Sequence, residues 1–435
     1  MACNHHPQSK SLLLSSSSSL PGVIIAVSLL FVSVFIPLSQ FTFAQQKIPG
    51  VVASIGTGEP TIKDPNLKVE TVATGLALPT TMAFIGPNDI LVLEKSKGTV
   101  QRIVNGQMLA EPLLQVNVSS EVERGMLGIA TSEDNQTGTT NVFLYYTEAQ
   151  GGEPVASRLY RYELSNDKLV NPVLLLDLPA VPGPRHNSGN ILIGPDNNLY
   201  VSVGDLDGHI TLAQNVNGAS GVDGSSSILK ITQDGQPVGQ GILGESGISG
   251  ISKKYYAYGL RNSFGMDFDP VSGKLWDTEN GASYGDEINF IEPGFNSGWL
   301  QIQGAAPVDF EFEDLINFQG KGNYSDPEFV WTDTVGPTAI KFLGSDALGN
   351  QYRNDIFVSD ITQGNIYHFD LTGNRTNLIL NGLLADKVSN NSTENQDIIF
   401  GEGFGGISDL EVGPYDGYLY VVSLGHGSIY RIVPN

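Results

Sequence analysis

One repeated element constrains the fold of this chain more than any other feature. A turn followed by a short apolar strand occurs six times, and a second strand follows each copy. The first strands lie at Gly86–Glu94, Asn141–Glu148, Gly194–Asp205, Ser272–Asn280, Arg353–Asp360 and Tyr415–Ser423. The second strands lie at Gly98–Ile103, Ser157–Tyr162, Ser226–Ile231, Gly285–Ile291, Gly364–Phe369 and Gly427–Ile432. Both sets alternate apolar and polar residues with the period of two that is typical of half-buried strands.

Six strand pairs at intervals of roughly 50–80 residues predict an all-β, six-bladed β-propeller. A propeller blade normally has four antiparallel strands, so two further strands per blade are expected in the intervals. We expect Leu67–Leu76 to close the ring by pairing with the C-terminal blade. A multi-sheet sandwich is the alternative, which six ordered copies disfavour. The predicted organisation is a leader over residues 1–44, a linker over 45–66 and one propeller domain over 67–435.

Composition excludes several classes of function. The chain has 23 Lys and Arg against 46 Asp and Glu, and its formal net charge of -23 excludes an ordinary nucleic-acid binder. The same charge argues against adhesion to an anionic membrane surface. Cys3 is the only cysteine, which excludes an intrachain disulfide, a thiolate zinc site and an iron–sulfur cluster.

The N-terminal segment predicts export. Val23–Pro37 is almost wholly apolar, and Thr42-Phe43-Ala44 places small residues where a signal peptidase cleaves. An uncleaved membrane anchor is the alternative, because Val23–Ala44 is just long enough to span a bilayer. Either reading places the rest of the chain outside the cytoplasm, secreted or anchored to the outer face of the cell membrane. Sequons for N-glycosylation occur at Asn117, Asn135, Asn323, Asn374, Asn390 and Asn391.

Two polar clusters interrupt the strand pattern with residues that no strand requires. The loop Gly183–Gly189 contains His186, and Asp205 ends the following strand, so the pair fits a general base and the carboxylate that orients it. The alternative is a histidine that caps a turn. In Tyr258–Gly265, Arg261 and Asn262 offer donors to an oxyanion or a carboxylate. The alternative there is an arginine stacked between blades.

A third polar cluster, Glu279–Glu287, combines carboxylates, amides, hydroxyls and free backbone carbonyls on a glycine-containing loop. Oxygen ligands of these kinds are those that Ca²⁺ prefers. Acidic residues that are simply solvated in a turn are the alternative.

Taken together, four segments resemble the soluble sugar dehydrogenases that use pyrroloquinoline quinone, the glucose/sorbosone dehydrogenase-like family. The segments are Glu123–Ala130, Arg185–Asp205, Tyr258–Pro270 and Glu279–Trp299, and the likeness covers most of Leu67–Pro434. The resemblance implies a six-bladed propeller, in agreement with the repeat count.

The resemblance also implies a role for each matching residue. His186 matches the catalytic base, Asp205 the acid that orients it, and Arg261 the group that stabilises charge on the quinone. The positions that match cofactor contacts are Glu123, Arg261, Asn262 and Thr362. The carbonyls of Gly281 and Ala282 match the site of a cofactor-bridging Ca²⁺. Glu287 matches a second, structural Ca²⁺ site, with the carbonyls of Ser297 and Gln303 as partners.

The chain departs from glucose-oxidising members at the positions that hold the carboxylates of the cofactor. It has Glu123 where those members have Gln, Thr362-Gln363 where they have Lys, and Gly406 and Ser408 where they have two arginines. Burying carboxylates without cationic partners is costly. Arg124, Arg185 and Lys341 are the cations that we consider as replacements.

These features predict a secreted oxidoreductase, dependent on pyrroloquinoline quinone and Ca²⁺, that oxidises the CH–OH group of an aldose. Its expected partners are a sugar and an unidentified electron acceptor, with sugar contacts from the loops Val308–Gly322 and Leu384–Gln396. The alternative is a non-catalytic propeller of the same descent that binds a glycan or a protein. A Ca²⁺-dependent lactone or ester hydrolase is a third reading, but it has no positive motif.

Overall fold

The computed structural model describes residues 58–134, 136–243 and 250–435. These residues form β-strands joined by turns and short 3₁₀-helices, and no α-helix occurs among them. The 3₁₀-helices are Leu212–Gln214, Gly250–Lys254, Phe312–Asp314, Asn350–Tyr352, Gly382–Leu384 and Glu394–Asp397. None of the helices in these ranges is long and apolar enough to cross a membrane. The predictions for the leader, for Cys3 and for the sequon at Asn135 lie outside the described residues.

The strands of the described ranges form six sheets, which we number by the order of their innermost strands. Sheet I contains β3 (Pro79–Gly86), β4 (Asp89–Glu94), β5 (Thr99–Val104), β6 (Gln107–Met108) and β7 (Leu114–Gln115). Sheet II contains β8 (Met126–Glu133), β9 (Thr140–Gln150), β10 (Glu153–Ser165) and β11 (Lys168–Leu178). Sheet III contains β12 (Ile191–Ile193), β13 (Leu199–Val203), β14 (Ser227–Ile231), β15 (Tyr255–Tyr258), β19 (Phe295–Asn296) and β20 (Asn323–Tyr324).

The remaining three sheets follow the same plan. Sheet IV contains β16 (Ser263–Phe268), β17 (Leu275–Glu279), β18 (Asp286–Ile291), β21 (Phe329–Trp331) and β25 (Val388–Ser389). Sheet V contains β22 (Pro337–Phe342), β23 (Ile356–Asp360), β24 (Ile366–Phe369), β26 (Ile399–Glu402) and β1 (Thr61–Ile62). Sheet VI contains β27 (Ile407–Val412), β28 (Leu419–Ser423), β29 (Ser428–Pro434) and β2 (Leu67–Ala73).

Contacts between innermost strands connect the sheets in a ring. Strand β3 packs against β8, β8 against β12, β12 against β16, β16 against β22, β22 against β27, and β27 against β3. An all-β chain arranged in this way is a β-propeller, as the sequence predicts. That each sheet is one complete blade, giving six blades, stays a prediction at this point.

All twelve repeated strands of the sequence are present and form the second and third strands of the six sheets. Four-stranded antiparallel sheets were expected throughout, and this expectation is wrong for four of the six. Only sheets II and VI have exactly four strands, whereas sheets III and IV add short strands paired in parallel at the outer edge. Long insertions return to these edges and hydrogen-bond backbone groups that would otherwise be unpaired.

The two ends of the described chain meet in the last two sheets. Strand β2 pairs antiparallel with β29 from Leu67 opposite Pro434 to Ala73 opposite Ile429, which confirms the predicted closure. Pairing begins earlier than expected, because Thr61 and Ile62, inside the predicted linker, pair with β26. The N-terminal strands β1 and β2 thus form the outermost strands of sheets V and VI.

Apolar side chains pack between adjacent sheets and form the core. Phe143 and Tyr145 of sheet II pack in one cluster with Leu199 and Val201 of sheet III, and all four are fully buried. Burying each such side chain contributes about 1.5–3 kcal/mol relative to leaving it exposed. Because this packing fixes the strands, the loops at their ends are held in defined positions.

The closing strand gives a direct test of the ring. Leu67 of β2 is buried in a cluster with Leu410 and Ile432, so Leu67→Ala should lower the free energy of unfolding by about 2–5 kcal/mol. Thr71→Ala, at an exposed position of the same strand, should change it by less than about 0.5 kcal/mol. Urea unfolding measures both values. Equal, small effects would mean that β2 is not part of the cooperative unit.

Candidate functional site

A buried histidine–carboxylate pair forms the centre of the site. The Nδ1 atom of His186 lies 2.5 Å from Oδ1 of Asp205, whose Oδ2 accepts a hydrogen bond of 2.8 Å from the Trp299 indole. The exposed fractions of His186 and Asp205 are 8% and 1%. The structure therefore brings together the two residues that the sequence paired. Trp299 was not singled out, although it ends the last of the four quoted segments.

The backbone around His186 is tightly constrained. His186 has a φ of 55°, in the left-handed region that residues other than glycine adopt rarely. Its carbonyl faces Gly204, the residue between β13 and Asp205, and a Cβ added there would lie 2.0 Å from the His186 oxygen. Only glycine permits this approach, so the end of β13 and the histidine loop fit directly against each other.

Arg261 determines which nitrogen of His186 carries the proton. Its Nη2 lies 2.6 Å from Nε2 of His186, and its Nη1 donates to the carbonyls of Asn280 and Gly281 at 2.8 and 2.7 Å. A guanidinium group only donates hydrogen bonds, so Nε2 must accept. The proton of the neutral imidazole then resides on Nδ1 and is donated to Asp205. The arrangement leaves an unprotonated Nε2 on the side of Arg261.

Glu123 and Asn262 lie beside the histidine loop. The Oε2 atom of Glu123 accepts hydrogen bonds of 3.2 Å from the Asn262 amide and from the backbone N–H of Asn187. The Oδ1 atom of Asn262 accepts from the backbone N–H and the hydroxyl of Ser188, at 3.2 and 3.0 Å. Four of the predicted site residues, His186, Asp205, Arg261 and Asn262, are thus joined to Glu123 in one hydrogen-bonded region.

A cavity of about 140 Å³ adjoins this region. Its lining residues come from several sheets and include Thr81, Lys95, Glu123, Ser188, Asn190, Asn280, Thr338, Ile361, Ser408 and Asp409. We call it the central cavity. Lys95 is the only Lys or Arg among the described lining residues, and sequence analysis missed it. The signal was a lysine directly after an apolar strand, which also fits an ordinary solvated turn.

Other predicted cations and contacts lie elsewhere. Thr362 lines a separate surface groove with Glu59 and Glu402, while its neighbour Ile361 lines the central cavity. Arg124 is buried and donates to the carbonyls of Ala180 and Gly183. Neither Thr362 nor Arg124 is among the lining residues of the central cavity.

The other two cations considered as replacements are also engaged elsewhere. Arg185 is half-exposed and lies 3.8 Å from a carboxylate oxygen of Asp207. Lys341 pairs with Glu411 at 3.1 Å and with Asp267 at 3.7 Å. Ser408 lines the central cavity and donates from its hydroxyl to the carbonyl of Pro79 at 2.8 Å.

The loop predicted to hold Ca²⁺ already contacts a cation of the protein itself. The Gly281 carbonyl accepts a hydrogen bond from Arg261, and the Gly281 N–H donates to Asp286 Oδ1 at 2.8 Å. Ala282 is exposed. The loop thus holds one predicted ligand carbonyl beside Arg261 and exposes the next residue to solvent.

Glu287 belongs to a cluster of three buried carboxylates on neighbouring strands. Glu279 lies directly opposite Glu287 in the pairing of β17 with β18, and Asp277 lies two residues before Glu279. Ser297 donates from its hydroxyl to Glu279 at 2.7 Å and to Glu287 at 3.3 Å. The backbone N–H of Gly304 donates to Glu287 at 2.8 Å. Ser297 and the segment around Gln303 therefore lie next to Glu287.

This carboxylate cluster is electrostatically unfavourable without a cation. Burial raises the pKa of Asp277 to about 7 and also raises the pKa values of Glu279 and Glu287, and the mutual proximity of the carboxylates adds to the effect. Both oxygens of Asp277 and the buried Oε1 of Gln303 have no hydrogen-bond partner among the described residues. Carboxylate and amide oxygens without partners are the donor set that a hard divalent cation prefers.

The sequence of this chain is similar to that of a known family and of several known proteins. The sequence profile described as glucose/sorbosone dehydrogenase matches residues 76–431. Aldose sugar dehydrogenase YliI of Escherichia coli is 25% identical over 364 residues, which cover 82% of this chain and 90% of that protein. Quinoprotein glucose dehydrogenase B of Acinetobacter calcoaceticus is 26% identical over 268 residues, which cover 56% of this chain and 54% of that protein.

A solved structure gives the same fold. The aldose sugar dehydrogenase of Streptomyces coelicolor, in its form bound to pyrroloquinoline quinone, superposes with a TM-score of 0.61 at 23% identity. The match covers 87% of this chain and 100% of that chain. It supports the propeller fold of the described residues.

The contact between Gly204 and His186 can be tested by a single methyl group. Gly204→Ala should lower the free energy of unfolding by about 1–3 kcal/mol, because the new Cβ overlaps the His186 carbonyl and one element must move. Gly373→Ala is the matched control, since a Cβ there meets nothing within 4 Å. Urea unfolding gives the stability, and the imidazole NMR signals report displacement of His186. Identical behaviour of the two variants would contradict the close approach.

Proposed function

Because the chain belongs to the glucose/sorbosone dehydrogenase family, we propose that it oxidises the CH–OH group of an aldose sugar. The single observation that carries the proposal is the Asp205–His186–Arg261 arrangement, with an unprotonated Nε2 on a buried, oriented histidine. A protein that only binds a ligand has no need for such a base. The names of two relatives, an aldose sugar dehydrogenase and a quinoprotein glucose dehydrogenase, support the same substrate class.

Pyrroloquinoline quinone is the cofactor that we propose, and the residues present fit it in chemistry. Amides of Asn190 and Asn280 line the central cavity, and the Asn190 Oδ1 atom has no hydrogen-bond partner in the described chain. Lys95 supplies one positive charge in place of the lysine and arginines of glucose-oxidising members. When bound, the quinone would accept the hydride that leaves the sugar carbon.

The protein residues would handle the proton that accompanies this hydride. A sugar hydroxyl that donates to Nε2 of His186 would replace the hydrogen bond from Arg261, and the O–H proton would pass to Nε2 as the C–H bond breaks. Asp205 would stabilise the resulting imidazolium through Nδ1, and the Trp299 indole holds Asp205 in place. Arg261, released from Nε2, would place its charge near the reacting atoms.

Calcium is the metal that we propose for the cluster of Asp277, Glu279 and Glu287. The three carboxylates supply the charge, and Gln303 and Ser297 lie beside Glu287. A Ca²⁺ ion would offset the burial of these carboxylates, which otherwise favours their protonated forms. A second Ca²⁺ at the carbonyls of Gly281 and Ala282 would require Arg261 to give up its bond to Gly281.

We also propose that the six sheets are six blades of one ring. The closed sequence of contacts between innermost strands supports this count. The site residues come from the loops between sheets and from the ends of the inner strands, where propellers commonly place binding sites. The domain organisation that follows has a leader, a short N-terminal segment and one propeller, which begins with β1 at Thr61 instead of at Leu67.

An extracytoplasmic location, secreted or anchored, remains part of the proposal. The apolar leader of the sequence supports it, with membrane attachment only if the leader stays uncleaved. The five described sequon asparagines, Asn117, Asn323, Asn374, Asn390 and Asn391, are all exposed. Their exposure agrees with glycosylation in a host that performs it.

A non-catalytic propeller that binds a glycan or a protein is the second candidate function. The observation in its favour is the charge of the central cavity, which Glu123 and Asp409 line together with Lys95. Two acids opposite one lysine disfavour a ligand with three carboxylates. Calorimetric titration of the wild-type protein with pyrroloquinoline quinone and Ca²⁺ separates the two candidates, because the second predicts no saturable binding.

The base assignment predicts a specific loss of turnover. His186→Gln should reduce kcat for aldose oxidation by about 10²–10⁴-fold without lowering the melting temperature, since it removes the proton acceptor and keeps a polar side chain. His368→Gln, far along the chain on β24, is the matched control and should leave kcat unchanged. An artificial electron acceptor assay with added quinone and Ca²⁺ measures both. An active His186→Gln variant would remove the histidine from the mechanism.

The metal assignment predicts opposite effects with and without Ca²⁺. In chelator, Glu287→Gln should be at least as stable as the wild type, because one buried carboxylate is neutralised. At Ca²⁺ concentrations about 100-fold above Kd, the wild type should gain about 2.7 kcal/mol and the variant much less. Glu313→Gln, at an exposed position, should follow the wild type. A Ca²⁺ effect that is equal in all three proteins would refute the site.

A further inference from the structure

Lys95 has an environment unlike that of the other lysines discussed above. It follows the last residue of β4, is only 7% exposed, and lines the central cavity. Its Nζ donates one hydrogen bond of 3.2 Å, to the carbonyl of Ser120. Among the described residues, no carboxylate forms an ion pair with it, whereas the equally buried Lys341 has two carboxylate neighbours.

The position of Lys95 is fixed by the backbone on both sides. Its N–H donates to Leu78 at 3.0 Å, and its carbonyl accepts from Met126 at 3.1 Å. Gly125, which has a φ of 143°, lies so close that an added Cβ would be 2.8 Å from Cγ of Lys95. The first sheet and the start of the second thus hold the side chain rigidly at the cavity.

A buried ammonium group without a carboxylate partner lowers the stability of a protein. Desolvation lowers the pKa of Lys95 to about 8, and the charge of Glu123 only partly opposes this effect. Glu123 and Asp409 are the acids that face the same cavity, and Glu123 is already hydrogen-bonded to Asn262 and Asn187. Costly buried charges of this kind are typical of functional sites rather than of structural ones.

We propose that Lys95 binds a carboxylate group of the ligand that occupies the central cavity. The inference rests on the proposed function, in which that ligand is pyrroloquinoline quinone. Lys95 would then supply from the first sheet a positive charge that the sequence lacks at Thr362, Gly406 and Ser408. Because a single lysine is available, one carboxylate of the ligand meets a direct counter-charge, and the others face amides or solvent.

Two substitutions separate ligand binding from a structural role. Lys95→Met keeps the length and the apolar stem of the side chain, and Lys95→Arg keeps its charge. Lys97→Met is the matched control, because Lys97 is half-exposed, pairs with the buried Glu94 at 3.0 Å and is not among the lining residues of the central cavity. Thermal unfolding of the ligand-free proteins should give a higher melting temperature for Lys95→Met than for the wild type, because an unpaired buried charge is removed.

Calorimetric titration with pyrroloquinoline quinone in Ca²⁺ gives the binding readout. Lys95→Met should raise Kd on the order of 10–100-fold, Lys95→Arg much less, and Lys97→Met not at all. The trimethyl ester of the quinone, which carries no carboxylate charge, should bind the wild type and Lys95→Met equally. This pattern would assign the effect to the ion pair rather than to the shape of the cavity.

The outcomes distinguish the proposal from the function on which it rests. If the wild type binds the quinone and Lys95→Met binds it equally well, the lysine assignment is overturned and the proposed function stands. If the wild type shows no saturable binding up to high micromolar quinone, the proposed function fails and the lysine assignment fails with it. A lower ligand-free melting temperature in both Lys95→Met and Lys95→Gln would make Lys95 a structural residue and overturn the proposal.

Discussion

The pairing of β2 with β29 is the interaction on which the rest of the structure depends. It joins the two ends of the described chain in sheet VI, whose innermost strand, β27, packs against β3 and completes the ring of inner strands. A ring closed in this way holds each sheet between two neighbours, so no inner strand can shift without displacing the next one. The candidate site depends on this arrangement, because His186 and Arg261 follow strands of different sheets and come within 2.6 Å of each other.

Buried charged groups that lack an oppositely charged partner are the second feature that the structure has to accommodate. Three carboxylates lie together on β17 and β18, and Lys95 lies at the central cavity without an ion-pair partner among the described residues. Charged residues make up only 16% of the sequence, so the burial of several of them is unusual for this chain. Each lowers the stability of the protein by itself, and each is explained if a ligand of opposite charge binds there. The ligands proposed for these two places would therefore offset a cost to stability.

The hydrogen-bond network around His186 fixes the orientation and the tautomer of its imidazole. Asp205 and Trp299 orient the ring from one side, and Arg261 contacts Nε2 from the other. The three partners come from three segments that are far apart in the sequence. The packing of sheets III and IV determines where these side chains come together. The close approach of Gly204 to His186 fixes the position of the loop that contains the histidine.

The sequence by itself determined the repeated strands, the closing role of Leu67–Leu76 and the pairing of His186 with Asp205, because these depend on local periodicity and on short motifs. It missed the parallel edge strands of sheets III and IV, Lys95 and the role of Trp299. It also placed Thr362 with the cofactor contacts, whereas Thr362 lies in another groove. Only the tertiary structure decided these points. The direction of a side chain at the end of a strand depends on how that strand is oriented within the ring of sheets. A lysine after a strand is the same in the sequence whether it points to solvent or into a cavity.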